Sequence, residues 1–332
     1  MAELTHVDLR RSRVVAATAV CAVVGLLLLL SLLGRLIGLR TDRDARQSEV
    51  AELVALVVRF PLPQNLTLPR LLWVLVTFAA IALILYGSLT GLRRSVPARQ
   101  GALTVFLLGW CCTALAVFAG GYLSMCADRL MWPGLEFSSQ AIGYLLPRSG
   151  VWALAFAWVG GVGAAVAYSA TARNAAPVLA ADGRRAAVSA GLAAAAFAVL
   201  LGVFGSLGHA RLRLDLPGMI YFPDPVSGSS PGISFVLLAL MIIIGFVALA
   251  LLLGVALRRS GVGGAFVLGW GFAVLVAGGV GIVRNVAVLI WELVKGEKDA
   301  PFYWTQLGDG AAFGLLTGWV VGLVAAVVMS RK

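Results

Sequence analysis

The feature that most constrains this chain is a series of continuous apolar stretches, each about 20 residues long. A helix of that length rises about 30 Å, which matches the hydrocarbon core of a bilayer. The chain of 332 residues is 61% hydrophobic and 12% charged, so it has too few polar side chains to cover a soluble domain. The sequence therefore predicts an all-α, polytopic transmembrane helical bundle.

Eight of these stretches can be delimited, and all are apolar without interruption. Strands of a membrane barrel would instead alternate polar and apolar residues over about ten positions. The predicted spans are 14–34, 71–92, 102–122 and 151–170, followed by 186–207, 233–257, 262–283 and 310–329. An even number of spans places the two termini on the same side of the membrane.

The orientation follows from an uneven distribution of basic residues. Short segments on one side are densely basic, whereas longer segments on the other side mix basic and acidic residues. The basic side holds Arg10, Arg11, Arg13, Arg93, Arg94, Arg99, Arg173, Arg184, Arg185, Arg258, Arg259, Arg331 and Lys332. The positive-inside rule makes that side, and with it the N and C termini, cytoplasmic.

Two similar segments predict an internal duplication. At a shift of 160 residues, Phe106-Leu-Leu-Gly-Trp110 matches Phe266-Val-Leu-Gly-Trp270. At a shift of 161 residues, Trp158-Val-Gly-Gly161 matches Trp319-Val-Val-Gly322. Ordered matches at nearly constant spacing are typical of a repeat, although apolar helices also resemble one another by composition.

The duplication divides the chain into two four-helix membrane halves, 1–172 and 173–332. Because each half has an even number of spans, both enter the membrane in the same direction and the repeats are parallel. Their pseudo-twofold axis would then lie along the membrane normal, and the interface between the halves would be the natural place for a pathway or a ligand.

Small residues recur every fourth position in the fourth and eighth spans. Such stripes leave one helix face without bulk and allow close backbone approach, which favours ordinary helix packing over a sliding or gating contact. The predicted packing residues are Gly310, Gly314, Gly318 and Gly322, with Ala153, Ala157 and Gly161 in the fourth span. We expect the two striped spans to pack tightly against another helix, with each other as one option.

Glycines are also frequent in the seventh span. The run from Gly278 to Gly281 has two interpretations, close packing or local unwinding near the outer surface, and close packing is favoured. The apolar segment from Val286 to Lys295 is placed in the following outer loop.

Polar residues near the outer ends of spans form one candidate site at the outer mouth: Arg35, Arg284, Asn285 and Asp309. The two arginines are expected to extend to lipid headgroups. Asp309 directly precedes the glycine stripe, where a carboxylate would cap a helix N-terminus.

Residues that carry catalysis or bind metals are scarce. His6 and His209 fall on opposite sides of the membrane, so they cannot share a metal or haem. No nucleophile is paired with a base, and no ionisable residue lies at the centre of a span. The sequence therefore predicts no enzyme, no cofactor and no metal site.

The partners expected from the sequence are membrane lipids and a second membrane or extracytoplasmic protein. Residues 48–59 form an amphipathic segment, and aromatic residues recur in the outer loops, so these loops either build a cap that binds a partner or anchor the protein at the interface. Nucleic acid is not expected, because the inner arginines form pairs at helix ends without interleaved aromatics.

Arginine greatly outnumbers lysine, and alanine, glycine, valine and leucine dominate the spans, which is typical of a GC-rich bacterial genome. This composition and the run Gly278-Gly-Val-Gly-Ile-Val-Arg-Asn-Val-Ala-Val288 resemble uncharacterised actinobacterial multi-pass membrane proteins, including the streptophobe group. The resemblance implies a bacterial plasma membrane. It has no diagnostic motif and implies neither an activity nor functional residues.

These observations predict a non-enzymatic membrane scaffold, partner subunit or receptor with an extracytoplasmic cap. The alternative is a permease or channel with a pathway between the two halves. An intramembrane enzyme fits least, since no catalytic group is in place. A dry interface between the halves would favour the first function, and a continuous polar cavity would favour the second.

Overall fold

The computed structural model describes residues 6–38, 68–95, 101–131, 149–171, 187–192, 195–196, 231–257, 261–294 and 304–330. Within these ranges the chain is helical and contains no strand. Among the described residues, six helices are long and apolar enough to cross a membrane, as expected for a helical membrane bundle.

The helices are α1 (His6–Gly38), α2 (Leu68–Ser95), α3 (Ala102–Met131), α4 (Trp158–Thr171), α5 (Pro231–Ala256), α6 (Val262–Val294) and α7 (Trp304–Ser330). A helical segment over 149–156 precedes α4 and is separated from it by a turn at Ala157. Together they form one membrane-length unit, Ser149–Thr171.

Six of the eight predicted spans therefore correspond to helices of membrane length. The predicted fifth span, 186–207, is described only at 187–192 and 195–196, where it is helical, and the remainder lies outside the described residues. The predicted sixth span corresponds to α5, whose apolar described part, Ile243–Gly254, is shorter than a full span.

Several helices extend beyond the predicted spans, and at α6 and α7 the extension overturns a prediction. The placement of 286–295 in a loop was wrong, because α6 continues without a break to Val294. Apolar residues persist beyond Val283, and the glycines from Gly278 onward stay helical. The capping role of Asp309 was also wrong, since α7 begins at Trp304 and places Asp309 within the helix.

Helices α3 and α6 are central to the described bundle. Helix α3 contacts α2, α4 and α6, while α6 contacts α5 and packs most extensively on α7. Helix α1 lies against α2 and α4. The core contains fully buried large side chains, among them Phe118, Trp152, Leu253, Leu268 and Phe272.

Close contacts at glycines explain how the outer helices of the first half reach α3 and α4. A Cβ atom added to Gly163 of α4 would lie 3.2 Å from Cβ of Ala22 and 3.3 Å from the carbonyl oxygen of Thr18 in α1. A Cβ atom added to Gly120 of α3 would overlap Ile81 of α2. Apolar burial between helices contributes little in lipid, so this close approach and its dispersion energy carry much of the packing.

Candidate functional site

Helices α3 and α4 meet backbone to backbone. A Cβ atom added to Gly109 would lie 2.9 Å from Cα of Gly161 and 3.0 Å from Cβ of Ala164. A Cβ atom added to Gly161 would lie 2.6 Å from the carbonyl oxygen of Phe106. Any side chain at either glycine would therefore force the two helices apart.

The second half contains the same contact between α6 and α7. A Cβ atom added to Gly269 would lie 2.7 Å from Cα of Gly322. A Cβ atom added to Gly322 would overlap the carbonyl oxygen of Phe266. These residues stand at the positions that the shifts of 160 and 161 pair with Gly109, Gly161 and Phe106.

Neighbouring details of the two helix pairs also correspond. The ring centroids of Phe106 and Trp110 are 5.6 Å apart, and those of Phe266 and Trp270 are also 5.6 Å apart. Helices α3 and α6 each begin after a glycine whose carbonyl accepts the first helical hydrogen bonds. Those bonds run from Val105 to Gly101 over 3.3 Å and from Ala265 to Gly261 over 2.8 Å.

The remaining residues of the glycine stripe in α7 also face α6. Cβ atoms added to Gly314 and Gly318 would lie 2.5 Å from the carbonyl oxygen of Ala273 and 2.8 Å from its Cβ, respectively. Gly310 is buried at the start of this stretch. In the fourth span, Ala153 and Ala157 are fully buried. The described close contacts of the two stripes are thus with α3 and α6.

The two helix pairs meet where α3 crosses α6. A Cβ atom added to Gly271 would overlap Cβ of Cys111 and would lie 2.7 Å from its Sγ. Cys111 and Gly271 are themselves paired by the shift of 160, so equivalent positions touch each other. Cys111 and its neighbour Cys112 are buried.

A second contact links the two pairs through the segment before α4. The side chain of Leu154 fills the space beside Gly278 of α6, where an added Cβ would lie 2.7 Å from Cδ2 and 3.0 Å from Cγ of the leucine. At the next residue, Gly279, an added Cβ would meet nothing within 4 Å. Gly278 therefore forms a notch in α6, and we call this contact the Leu154 notch.

The matched tryptophans differ in their hydrogen bonding. The indole Nε1–H of Trp270 donates to the carbonyl oxygen of Leu315 over 2.8 Å, which ties α6 to α7. The Nε1 atom of Trp110 is buried and has no acceptor among the described residues. A buried donor without a partner costs about 1–3 kcal/mol relative to a satisfied one, so we expect the contact of α3 with α4 to be less stable than that of α6 with α7.

The residues predicted at the outer mouth are only partly described. Arg284 and Asn285 are consecutive in α6, and the side chain of Asn285 is buried. Arg35 lies in α1 and Asp309 in α7, but their side chains are outside the described part of the chain. The prediction that the four residues form one site therefore lies outside the described side chains.

In the described part of the chain, no cluster of three or more His, Cys, Asp or Glu side chains could hold a metal ion. The described cysteines are free: Cys21 is exposed on α1, whereas Cys111 and Cys112 are buried. No protein-family description, curated protein or solved structure matches this chain.

Sequence reasoning missed the crossing of α3 and α6, the Leu154 notch and the hydrogen bond of Trp270. A signal for the crossing was available, because the shift that aligns Trp110 with Trp270 also aligns Cys111 with the glycine Gly271. The notch had no comparable signal, since Gly278 is one of several glycines in the same stretch.

Replacing Gly322 by alanine should destabilise the protein by about 1–3 kcal/mol, because the new methyl group would overlap the Phe266 carbonyl. Thermal unfolding in detergent, followed by helicity, measures this loss. The matched control is Gly254→Ala in α5, where an added Cβ meets nothing within 4 Å. Equal melting temperatures for the two variants would contradict the close contact of α6 with α7.

Replacing Trp270 by phenylalanine should cost about 0.5–1.5 kcal/mol more than replacing Trp110, because only Trp270 donates a hydrogen bond to a described residue. Phenylalanine keeps the ring beside Phe266 and Phe106 in each case. Reversible unfolding in mixed micelles gives both free energies. A larger loss for Trp110→Phe would show that the assignment of the hydrogen bond is wrong.

Proposed function

We propose that this protein is a non-enzymatic, multi-pass membrane scaffold, partner subunit or receptor. The observation that carries the proposal is the packing between the two helix pairs, where Cys111 touches Gly271 and Leu154 fills the notch at Gly278. Both contacts are apolar and close enough to exclude water. A seam of this kind fits a protein that holds other components in place better than one that conducts a solute.

The architecture proposed for this function has eight spans in two parallel halves, 1–172 and 173–332. Its support is that matched residues make matched contacts: Gly109 with Gly161, and Gly269 with Gly322. In a parallel repeat, the pseudo-twofold axis passes through a point where equivalent residues meet. Cys111 and Gly271 are such a pair, so the proposed axis would lie at the crossing of α3 and α6.

The proposed location is the plasma membrane of a bacterium, with both termini in the cytoplasm. The support is the arginine-rich composition and the concentration of basic residues in the short segments of one side. These arginines would contact anionic headgroups, and the longer segments of the opposite side would form a cap that binds a partner protein.

A permease or channel is the second candidate function. It is favoured by the parallel repeat and by α6, a helix rich in glycine that carries a buried Asn285 beside Arg284. Buried polar groups in a membrane helix often mark a pathway for ions or solutes. In that case water would have to reach the seam between the halves.

Access of water to Cys111 separates the two functions. In a variant that keeps only this cysteine, with Cys21, Cys112 and Cys126 replaced by alanine, a water-soluble methanethiosulfonate should not modify the folded protein in liposomes. The same protein unfolded in detergent should react completely and serves as the control. Rapid modification of the folded protein would favour a water-filled pathway and contradict the dry seam.

The partner role predicts that the protein is recovered as a complex of defined size when it is solubilised gently from its native membrane. Chemical cross-linking followed by mass spectrometry should recover one other protein in constant ratio, linked to the outer segments. A single species of the mass of this chain, together with solute flux in proteoliposomes, would contradict the proposal.

A further inference from the structure

The segment 149–156 differs from its counterpart in the first turns of α7 in the contacts that it makes with the neighbouring helices. In the second half, the carbonyl of Leu315 accepts the Trp270 indole hydrogen bond. The shift of 161 pairs Leu315 with Leu154. In the structure, however, the side chain of Leu154 fills the notch at Gly278, and Trp110 Nε1 has no acceptor among the described residues.

The fourth span has a turn at Ala157. The backbone N–H of Ala157 donates to the carbonyl of Ala153 over 3.0 Å, as in an α-helix. The N–H of Gly160, however, donates to the carbonyl of Ala157 over 3.2 Å, a three-residue spacing that tightens the helix locally. The matched region of α7 is continuous. The irregular geometry at Ala157 gives the fourth span a point at which the residues before it can change direction relative to α4.

The residue at the turn also disfavours a contact with Trp110 like the one that α7 makes with Trp270. Its counterpart, Gly318, lies so close to α6 that an added Cβ would be 2.8 Å from Cδ1 of Trp270. Ala157 carries such a methyl group, so the same approach to Trp110 is hindered. The fourth span therefore lacks the hydrogen bond to Trp110 of α3 and instead makes an apolar contact with Gly278 of α6.

We propose that segment 149–156 is a movable strap between the two halves with two seats. In the first seat, Leu154 occupies the notch at Gly278, as in the structure. In the second seat, the fourth span straightens at Ala157 and the Leu154 carbonyl accepts the indole hydrogen bond of Trp110, as Leu315 does for Trp270. The unsatisfied indole favours the second seat, whereas the notch and the Ala157 methyl group favour the first.

This strap gives the proposed scaffold a way to respond to a partner. A protein or lipid that binds one seat better than the other shifts the balance between them. The inference rests on the proposed match of the two halves, and it adds a movement that couples them through one leucine.

The test follows the indole N–H signals of protein labelled with 15N-tryptophan in lipid nanodiscs. The chain has nine tryptophans, and Trp110→Phe and Trp270→Phe assign the two signals of interest. A hydrogen-bonded indole proton resonates downfield of a free one and exchanges more slowly with deuterium. The signals therefore report the seat directly and separately from the thiol and cross-linking experiments.

The decisive variant is Gly278→Ala combined with Ala157→Gly, which fills the notch and removes the methyl group at the turn. The Trp110 signal should move downfield toward the position of Trp270 and exchange on the order of tenfold more slowly. The matched control is Gly279→Ala combined with Ala157→Gly, since Gly279 has open space. Its Trp110 signal should move less, and the Trp270 signal should stay in place in both proteins.

If the notch variant does not fold, Leu154→Ala combined with Ala157→Gly decides the question, because it empties the notch without adding bulk. Its Trp110 signal should move in the same direction as that of the notch variant. An unmoved Trp110 signal in the folded variant, or an equal movement in the Gly279 control, would overturn the proposal.

Discussion

Close approach of helix backbones at glycines is the interaction on which the rest of this structure depends. In lipid, apolar side chains gain little by leaving the solvent, so helices associate through dispersion, hydrogen bonds and shape. Gly109 and Gly269 bring α3 onto α4 and α6 onto α7 at distances that no side chain would allow. Once these two pairs are formed, their central helices can meet at Cys111 and Gly271.

The two helix pairs share their geometry but differ in their hydrogen bonding. Trp270 ties α6 to α7 with a hydrogen bond across the helices. On the other pair, Ala157 stands at the position matched to Gly318, a turn lies at that residue, and Leu154 contacts Gly278 of α6. Under the proposed duplication, one copy keeps a hydrogen bond that the other lacks, and this difference would suit the proposed scaffold.

The fold class could be predicted from the sequence, because length and continuous apolar character are enough to identify helices that cross a membrane. The residues that make the close contacts could also be predicted, because glycine recurs at every fourth position at Gly314, Gly318 and Gly322. The helix against which this stripe packs was not predictable, because a helix face without large side chains fits any neighbour with a complementary surface. The turn at Ala157 was not predictable, because no proline or glycine stands at its position. The extension of α6 to Val294 and the start of α7 at Trp304 were missed because Arg284, Asn285 and Asp309 are polar residues beside the predicted span ends.

Disulfide formation between Cys111 and a cysteine at position 271 tests the central claim most directly. In Gly271→Cys, with the other three native cysteines replaced, the new Cβ would overlap Cβ of Cys111, closer than the Cβ–Cβ distance of about 3.5–4.5 Å that a disulfide requires. A small separation of α3 from α6 therefore brings the two sulfur atoms within bonding distance. Oxidation in membranes should link positions 111 and 271, as read by mass spectrometry of the joined peptides. The same experiment with Gly279→Cys should give no link to Cys111. Absence of the link at position 271, or an equal yield at position 279, would contradict the meeting of equivalent positions at the crossing of α3 and α6.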